Sequence, residues 1–486
     1  MNMSIENLFA LFAVFVSFLL FLQLGIAARR RQKTNSDYLF AGRNIKGILF
    51  QNTLIAGGTS LATVLAFFLT QAAIYGWAFL VNIVSFVIGQ YMFFWLVRKS
   101  QIEIGSFSTL SRLIQKESNS NIAANLFRIT TLTTFFAILF IELIFGSVVF
   151  EFIFPGQHTV LIFSIISCLI IFTYLVLGGF AATVESDSWQ AKIIYAAAFA
   201  LILFLVFSYK PTHSLDFTPV FSPSVYDFVI YSLIINAIIV NFTLPFCQLN
   251  SWHRIAAVGN WEVIDKNYRQ GLLKYFVLWG IFAIFAFITL AGGDNLTDFN
   301  DVFEKLKANG GIAAFVIFPL FFAGLVSAML STADTAAMAI VLEVADAKAE
   351  IDGELSEYKG FYIITLAVIL LSVGVASYAL NSEARDAFVH ILFLMFSQLV
   401  VFFPLVLSAA FKKIDFSPLG WKLTWLGALL GLIAVWGVSI YGYSQSSVAW
   451  TQFSSAVGIS IAFLFFAIAM FCCKIDQVGG EVAQNV

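Results

Sequence analysis

The chain has 486 residues, of which 60% are hydrophobic and only 11% charged, and its 26 Lys and Arg against 28 Asp and Glu leave a net charge of −2. Mean hydropathy is +0.92, whereas a soluble globular chain carries about 25% charged residues. These values exclude a soluble globular enzyme, and the lack of any basic tract gives no reason to expect a nucleic-acid partner. Cys168, Cys247, Cys472 and Cys473 lie in or beside apolar runs without metal-ligand spacing, so neither a disulfide framework nor a zinc site is implied.

Apolar runs long enough to cross ~30 Å of hydrocarbon recur about thirteen times. They fall near 6–27, 47–72, 75–97, 124–153, 158–178, 187–208, 225–247, 270–291, 311–342, 360–380, 387–411, 420–442 and 448–472. The polar breaks between them are short, so the expectation is an all-α polytopic membrane protein in a lipid bilayer, with no attached soluble domain. The basic cluster Arg29, Arg30, Arg31 and Lys33 follows the first run instead of preceding it, unlike a cleaved signal peptide. The positive-inside rule then puts residues 28–46 in the cytoplasm. Alternating from there, about twenty basic residues fall on the inner side, Arg254 among them, against Lys210, Lys305, Lys307 and Arg385 outside. The expected topology is N-out and C-in.

Three runs carry polar interruptions, and a fourth carries a lone acid. In residues 47–72 the stretch Ala56-Gly57-Gly58-Thr59-Ser60 sits at mid-depth, where Gly-Gly favours unwinding and frees backbone carbonyls. Such groups are tolerated at that depth only where protein, ions or water satisfy them. Glu142, deep in the fourth run, needs a partner. Arg128 is fourteen positions away, about 21 Å along a helix, too far for a direct pair. The seventh run contains Asn241, Thr243 and Pro245. The ninth, from Phe321 to Asp346, places Ala328, Ser331, Thr332 and Thr335 on one helical face, with Asp334 beside them. Hydroxyls in a greasy segment suit a hard cation, although Ser and Thr also bond back to their own helix; the adjoining acid favours the first reading. Interrupted segments at matching places in two halves point to a transporter with inverted repeats. Runs two to six and seven to eleven form two such units of five spans. The resulting units are 1–46 (first helix and cytoplasmic loop), 47–208 and 225–411 (the two repeats), and 412–486 (two further helices and a tail).

At this point SDYLFAGR (36–43), TVESDSWQA (183–191), LNSWHRIAA (249–257) and GLVSAMLSTADTAA (324–337) resemble the sodium:solute symporter family, over residues 36 to 412. The resemblance implies a leucine-transporter-like fold of 5+5 inverted helices with Na+ as the coupling ion. It also implies a sodium site made by the carbonyls of Ala56, Thr59 and Ala328 and the hydroxyls of Ser331 and Thr332. A second cation site, present in some members, maps to Asp187, Ser331, Asp334 and Thr335. Asp334 departs from the hydroxyl that such members often carry there.

Polar residues placed to face a solute at mid-membrane are Thr63, Asn82, Ser85, Glu142, Asn241 and Gln398. By resemblance, Asn241 falls where sugar-carrying members contact sugar, and Lys274 is a near-match to their lysine. An acid facing the cavity favours an amino-bearing solute over a sugar. The expected function is therefore sodium-coupled symport of a small organic solute by alternating access, working as a monomer in the plasma (inner) membrane. No nucleotide loop, metal cluster or nucleophile–base pair suggests an enzyme. The alternatives are a proton-coupled carrier of the same fold, using Asp187, Asp334 or Glu142, and a transporter-like membrane sensor.

Overall fold

A computed structural model of the protein describes residues 4–30, 32–62, 67–100, 108–156, 158–223, 227–294, 299–308, 311–346, 354–411 and 416–484. The backbone is helical nearly throughout, as a chain in hydrocarbon must be if its N–H and C=O groups are to be satisfied internally. An N-terminal helix α1 (Ile5–Arg29) leads through α2 (Asn35–Phe40) to α3 (Gly47–Gly58), and α4 begins at Phe67 (Phe67–Tyr75). There follow α5 (Leu80–Lys99), the short α6 (Leu110–Ser118), α7 (Asn121–Ile153) and α8 (Thr159–Phe207). A single turn, α9 (Thr218–Phe221), precedes α10 (Asp227–Cys247), α11 (Leu249–Val258), α12 (Trp261–Ala291) and α13 (Phe299–Ala308). Next come α14 (Phe318–Asp346), α15 (Leu355–Ala379), α16 (Asn381–Val400) and α17 (Phe403–Ala410), and finally α18 (Pro418–Ser444) and α19 (Val448–Gln484). Helix starts carry their own caps: Ser4, Thr109, Ser120, Asn260 and Ser417 each accept a backbone N–H, and Thr34 with Asp37 forms a capping box.

Eleven helices among the described residues are long and apolar enough to cross a membrane. The difference from thirteen expected runs lies in two places. The run 47–72 is not one helix but α3 and α4. The runs 158–178 and 187–208 are two helices, as expected, that meet end to end at a kink at Gly179 (φ 48°, ψ −144°) and together make up α8, of 49 residues. The bend folds the chain back: Tyr174 and Ser186 would be about 18 Å apart along a straight helix, yet both hydrogen-bond Asp334 Oδ2, at 2.6 and 3.4 Å.

Helix α14 is the axis of the molecule. Its span is 83% buried inside the protein, against 28–33% for α1, α18 and α19, which therefore form the rim. Small residues set the spacing, as expected where packing rather than hydrophobic drive holds helices together. A Cβ at Gly324 of α14 would come within 2.3 Å of Ala197 Cβ on α8.

One connection differs from expectation. Residues 248–269 read as a loop, but their first half is α11, with Trp252, His253 and Arg254 only 3–5% exposed. Arg254, counted among the inner-loop cations, lies inside the protein.

Gly179 has no tolerance for a side chain, because its backbone is in a glycine-only region and a Cβ would sit 2.4 Å from Tyr38 O. Gly179→Ala is expected to cost about 2–3 kcal/mol, seen as a fall in Tm of the detergent-purified protein. Gly280→Ala, on α12 with nothing within 4 Å of the added Cβ, is expected to be neutral or to stabilise by about 0.5 kcal/mol.

Candidate functional site

The site begins where α3 stops. The Thr59 N–H turns back onto Ala56 O (3.1 Å), and Thr59 itself leaves the helical region (φ −104°, ψ 79°). The amides just past the break have lost their helical partners. Glu142 of α7 takes them: its carboxylate accepts from Leu61 N–H (3.2 Å), from Ala62 N–H (3.3 Å) and from the Ser60 hydroxyl. Glu142 is fully buried and does not line the cavity described below. The partner that sequence reasoning sought in a basic residue or a solute is the broken backbone itself. The case for an amino-bearing solute, which rested on an acid facing the cavity, loses its support. Arg128 instead lies 3.5 Å from both Glu343 and Asp346 at the end of α14.

The glycines before the break permit close approach. A Cβ at Gly57 would fall 1.8 Å from Arg254 Nη2 and 3.2 Å from Thr335 Oγ1, so α3 lies directly against α11 and α14 here. Arg254 donates to Thr335 Oγ1 (3.1 Å) and, through Nε, to Thr53 Oγ1 (3.4 Å). Thr53 in turn donates to Asp187 Oδ2, and Ser331 donates to Asp187 Oδ1. One buried acid and one buried guanidinium are thus joined through a hydroxyl. Asp334 points elsewhere: its Oδ2 accepts from Tyr174 and Ser186, while Oδ1 has no partner among the described residues.

Thr59 Oγ1 and Thr332 Oγ1 are buried without a hydrogen-bond partner among the described residues. They belong to the two elements that the resemblance pairs, the unwound end of α3 and the middle of α14. Ser331 gives its proton to Asp187 and so keeps its lone pairs for something else. Ala56 and Ala328 are fully buried. The donor chemistry is that of neutral oxygens, which fits a dehydrated monovalent cation.

Beside this cluster is a cavity of about 180 Å³. Of the expected residues, Asn82, Asn241, Thr332 and Thr335 line it. Ser85 does not; it bonds the carbonyls of Val81 and Ala237 and accepts from Asn241 Nδ2 (2.8 Å). Gln398 is spent on Thr134 Oγ1 (2.7 Å), and Lys274 on Gln51 Oε1 (2.6 Å). Thr63 lies outside the described residues. The break expected in the seventh run is displaced, since α10 continues through Asn241 and ends two residues after Pro245. Sequence reasoning missed Arg254, Asn236, Gln90 and the aromatic wall of Phe68, Phe86 and Trp279. Only Arg254 carried a signal, in LNSWHRIAA.

This arrangement defines a class: the fold is the leucine-transporter-like fold of secondary transporters. A Na+-coupled sialic acid symporter, solved in a substrate-bound outward-open state, matches with TM-score 0.71 at 14% identity, over 95% of this chain and 97% of that one. Mhp1, a nucleobase-cation-symport-1 family transporter bound to bromovinylhydantoin, matches with TM-score 0.52 at 14% identity, over 89% and 93%. The manganese transporter of Eremococcus coleocola matches with TM-score 0.50 at 12% identity, over 89% and 94%. No protein-family model matches the chain, and no curated protein matches it by sequence. At these identities the likeness carries the fold.

Removing the cap on the break separates its two roles. Glu142→Ala leaves two amides unpaired in hydrocarbon and is expected to cost about 3–5 kcal/mol, read as a large fall in Tm. Glu142→Gln keeps an acceptor oxygen and is expected to retain most of the wild-type Tm.

Proposed function

We propose that the protein is a sodium-driven symporter that carries a small organic solute inward by alternating access, acting as a monomer in the plasma (inner) membrane. The observation that carries this reading is the pair of buried, unpartnered hydroxyls, Thr59 and Thr332, at the meeting of the broken α3 with α14. An oxygen with no partner at that depth costs about 1–3 kcal/mol, a cost that a bound cation removes at Thr332. The carbonyls of Ala56, Thr59 and Ala328, with the hydroxyls of Ser331 and Thr332, would hold it, and a sodium ion there would supply positive charge that ties α3 to α14. Because α3, through Gly57 and Gly58, and Ser60 just past its end also form the cavity wall, fixing that end shapes the solute space. Coupling then follows from two ligands sharing one mobile wall.

A specific feature favours one rival. Asp187 and Asp334 are fully buried with one guanidinium, Arg254, nearby. Two acids and one base leave room for one further cation, which a proton on Asp334 would supply. A proton-coupled carrier is the second reading.

The two separate in a thermal-shift measurement. With 100 mM NaCl in place of choline chloride, a site of millimolar affinity stabilises by about 2.7 kcal/mol. Wild type is expected to show that rise at fixed pH, and Ser331→Ala/Thr332→Ala is expected to lose it. A rise undiminished in the double variant, or no sodium response in wild type alongside a pH response, overturns the sodium reading.

A further inference from the structure

The cavity wall is uneven in its hydrogen-bonding character. Trp279 is 6% exposed, and its Nε1, a donor that can never accept, has no partner among the described residues. Asn82 Nδ2 is in the same condition. Two other wall amides have their oxygens already taken. Asn236 Oδ1 accepts from Ser455 of α19 (2.8 Å), and Gln90 Oε1 accepts from Tyr268 (2.6 Å), which leaves the NH₂ group of each for the cavity. Four side chains of this wall therefore have N–H groups not matched to an acceptor by the hydrogen bonds above.

No carboxylate lines that space among the described residues. Two acceptors on its wall lack a partner among the described residues, Thr332 Oγ1, one of the oxygens assigned to the cation, and Asn250 Oδ1, which sits one helical turn from Arg254 on the same face of α11. A cation placed beside Asn250 would meet the guanidinium. An aromatic patch forms another part of the wall: Trp279 lies 4.4 Å from Phe86 and 5.1 Å from Phe68, centroid to centroid.

Taking the cavity as the solute site, as the transporter reading does, we infer that its solute is a flat-bodied organic molecule whose carbonyl or carboxylate oxygens accept from Trp279, Asn82, Asn236 and Gln90. An ammonium group finds no carboxylate on this wall among the described residues. Ser455 acts as a positioning residue. By holding the Asn236 oxygen it aims the Asn236 amide nitrogens, so α19, outside the two repeats, sets part of the specificity.

Three probes sharing one ring and similar length test this on the full-length purified protein in NaCl: phenylacetate, phenylacetamide and phenethylamine. Phenylacetate and phenylacetamide are expected to raise Tm and to bind at least tenfold more tightly than phenethylamine. The stronger of these two shows whether a charged or a neutral oxygen is preferred. Trp279→Phe keeps an aromatic ring while removing the donor together with the second ring of the indole, and phenethylamine controls for the lost contact area. It is expected to weaken the oxygen-bearing probes about tenfold, the worth of roughly one hydrogen bond, and to leave phenethylamine unchanged. Ser455→Ala is expected to weaken them about threefold, with Ser455→Thr restoring binding. Equal or tighter binding of phenethylamine, failure of all three probes, or undiminished binding to Trp279→Phe overturns the inference. The sodium-only rise in Tm, read in the same runs, reports separately on the coupling ion, so failure of the solute class and failure of the transporter reading are distinguishable.

Discussion

A backbone amide without a partner in hydrocarbon costs several kcal/mol, and this protein places a chain break at that depth. The clamp of Glu142 on Ser60, Leu61 and Ala62 makes the break tenable. With the amides satisfied by an acid from α7, α3 can end at Gly58, and Thr59 can leave the helical path. The break in turn exposes α3 to α11 and α14 on one side and to the cavity on the other. A straight helix through 47–72 would have presented neither surface.

Around the break, charge is handled through hydroxyls. Thr53 stands between Asp187 and Arg254, donating to one and accepting from the other, and Thr335 receives the other end of the guanidinium. In a medium of low dielectric such a relay limits the desolvation that a bare buried pair would suffer. It also leaves Ser331 with its proton committed to Asp187 and its lone pairs directed elsewhere. Asp334, one turn further along α14, is turned away toward Tyr174 and Ser186. Two neighbouring carboxylates that the resemblance groups into one site thus have different hydrogen-bond partners, Asp187 the hydroxyls of Thr53 and Ser331 and Asp334 those of Tyr174 and Ser186.

The same economy governs the cavity. Most amides near it are committed to helix–helix contacts, as Gln398 is to Thr134 and Asn241 is to Ser85. What remains on the cavity wall is the residue of that process, a few N–H groups and oxygens without partners among the described residues, beside an aromatic patch. Helix α19 participates through Gln452, which accepts from Ser232 of α10 and donates to Tyr75 of α4 (2.7 and 2.9 Å). Helix α19 therefore ties together two of the elements that contribute to the cavity wall.

Much of the fold was legible in the sequence, because lipid imposes rules that act locally. Apolar length marks the spans, and Gly-Gly at 57–58 marks a break. Ser331 and Thr332 in a greasy run mark oxygens whose burial needs a reason. Those features depend on each residue's own chemistry and its neighbours within a turn or two. What lay beyond reach depends on partners far away in the chain. Nothing near Glu142 shows that it meets residues eighty positions earlier, nothing near Arg254 shows that a presumed loop is a buried helix, and nothing near Gln398 shows that Thr134 has claimed it. A polar side chain in a membrane must find a partner, and its identity states that need. Whether the partner is backbone, another helix or a solute is decided only when tertiary packing fixes which groups come within hydrogen-bond distance.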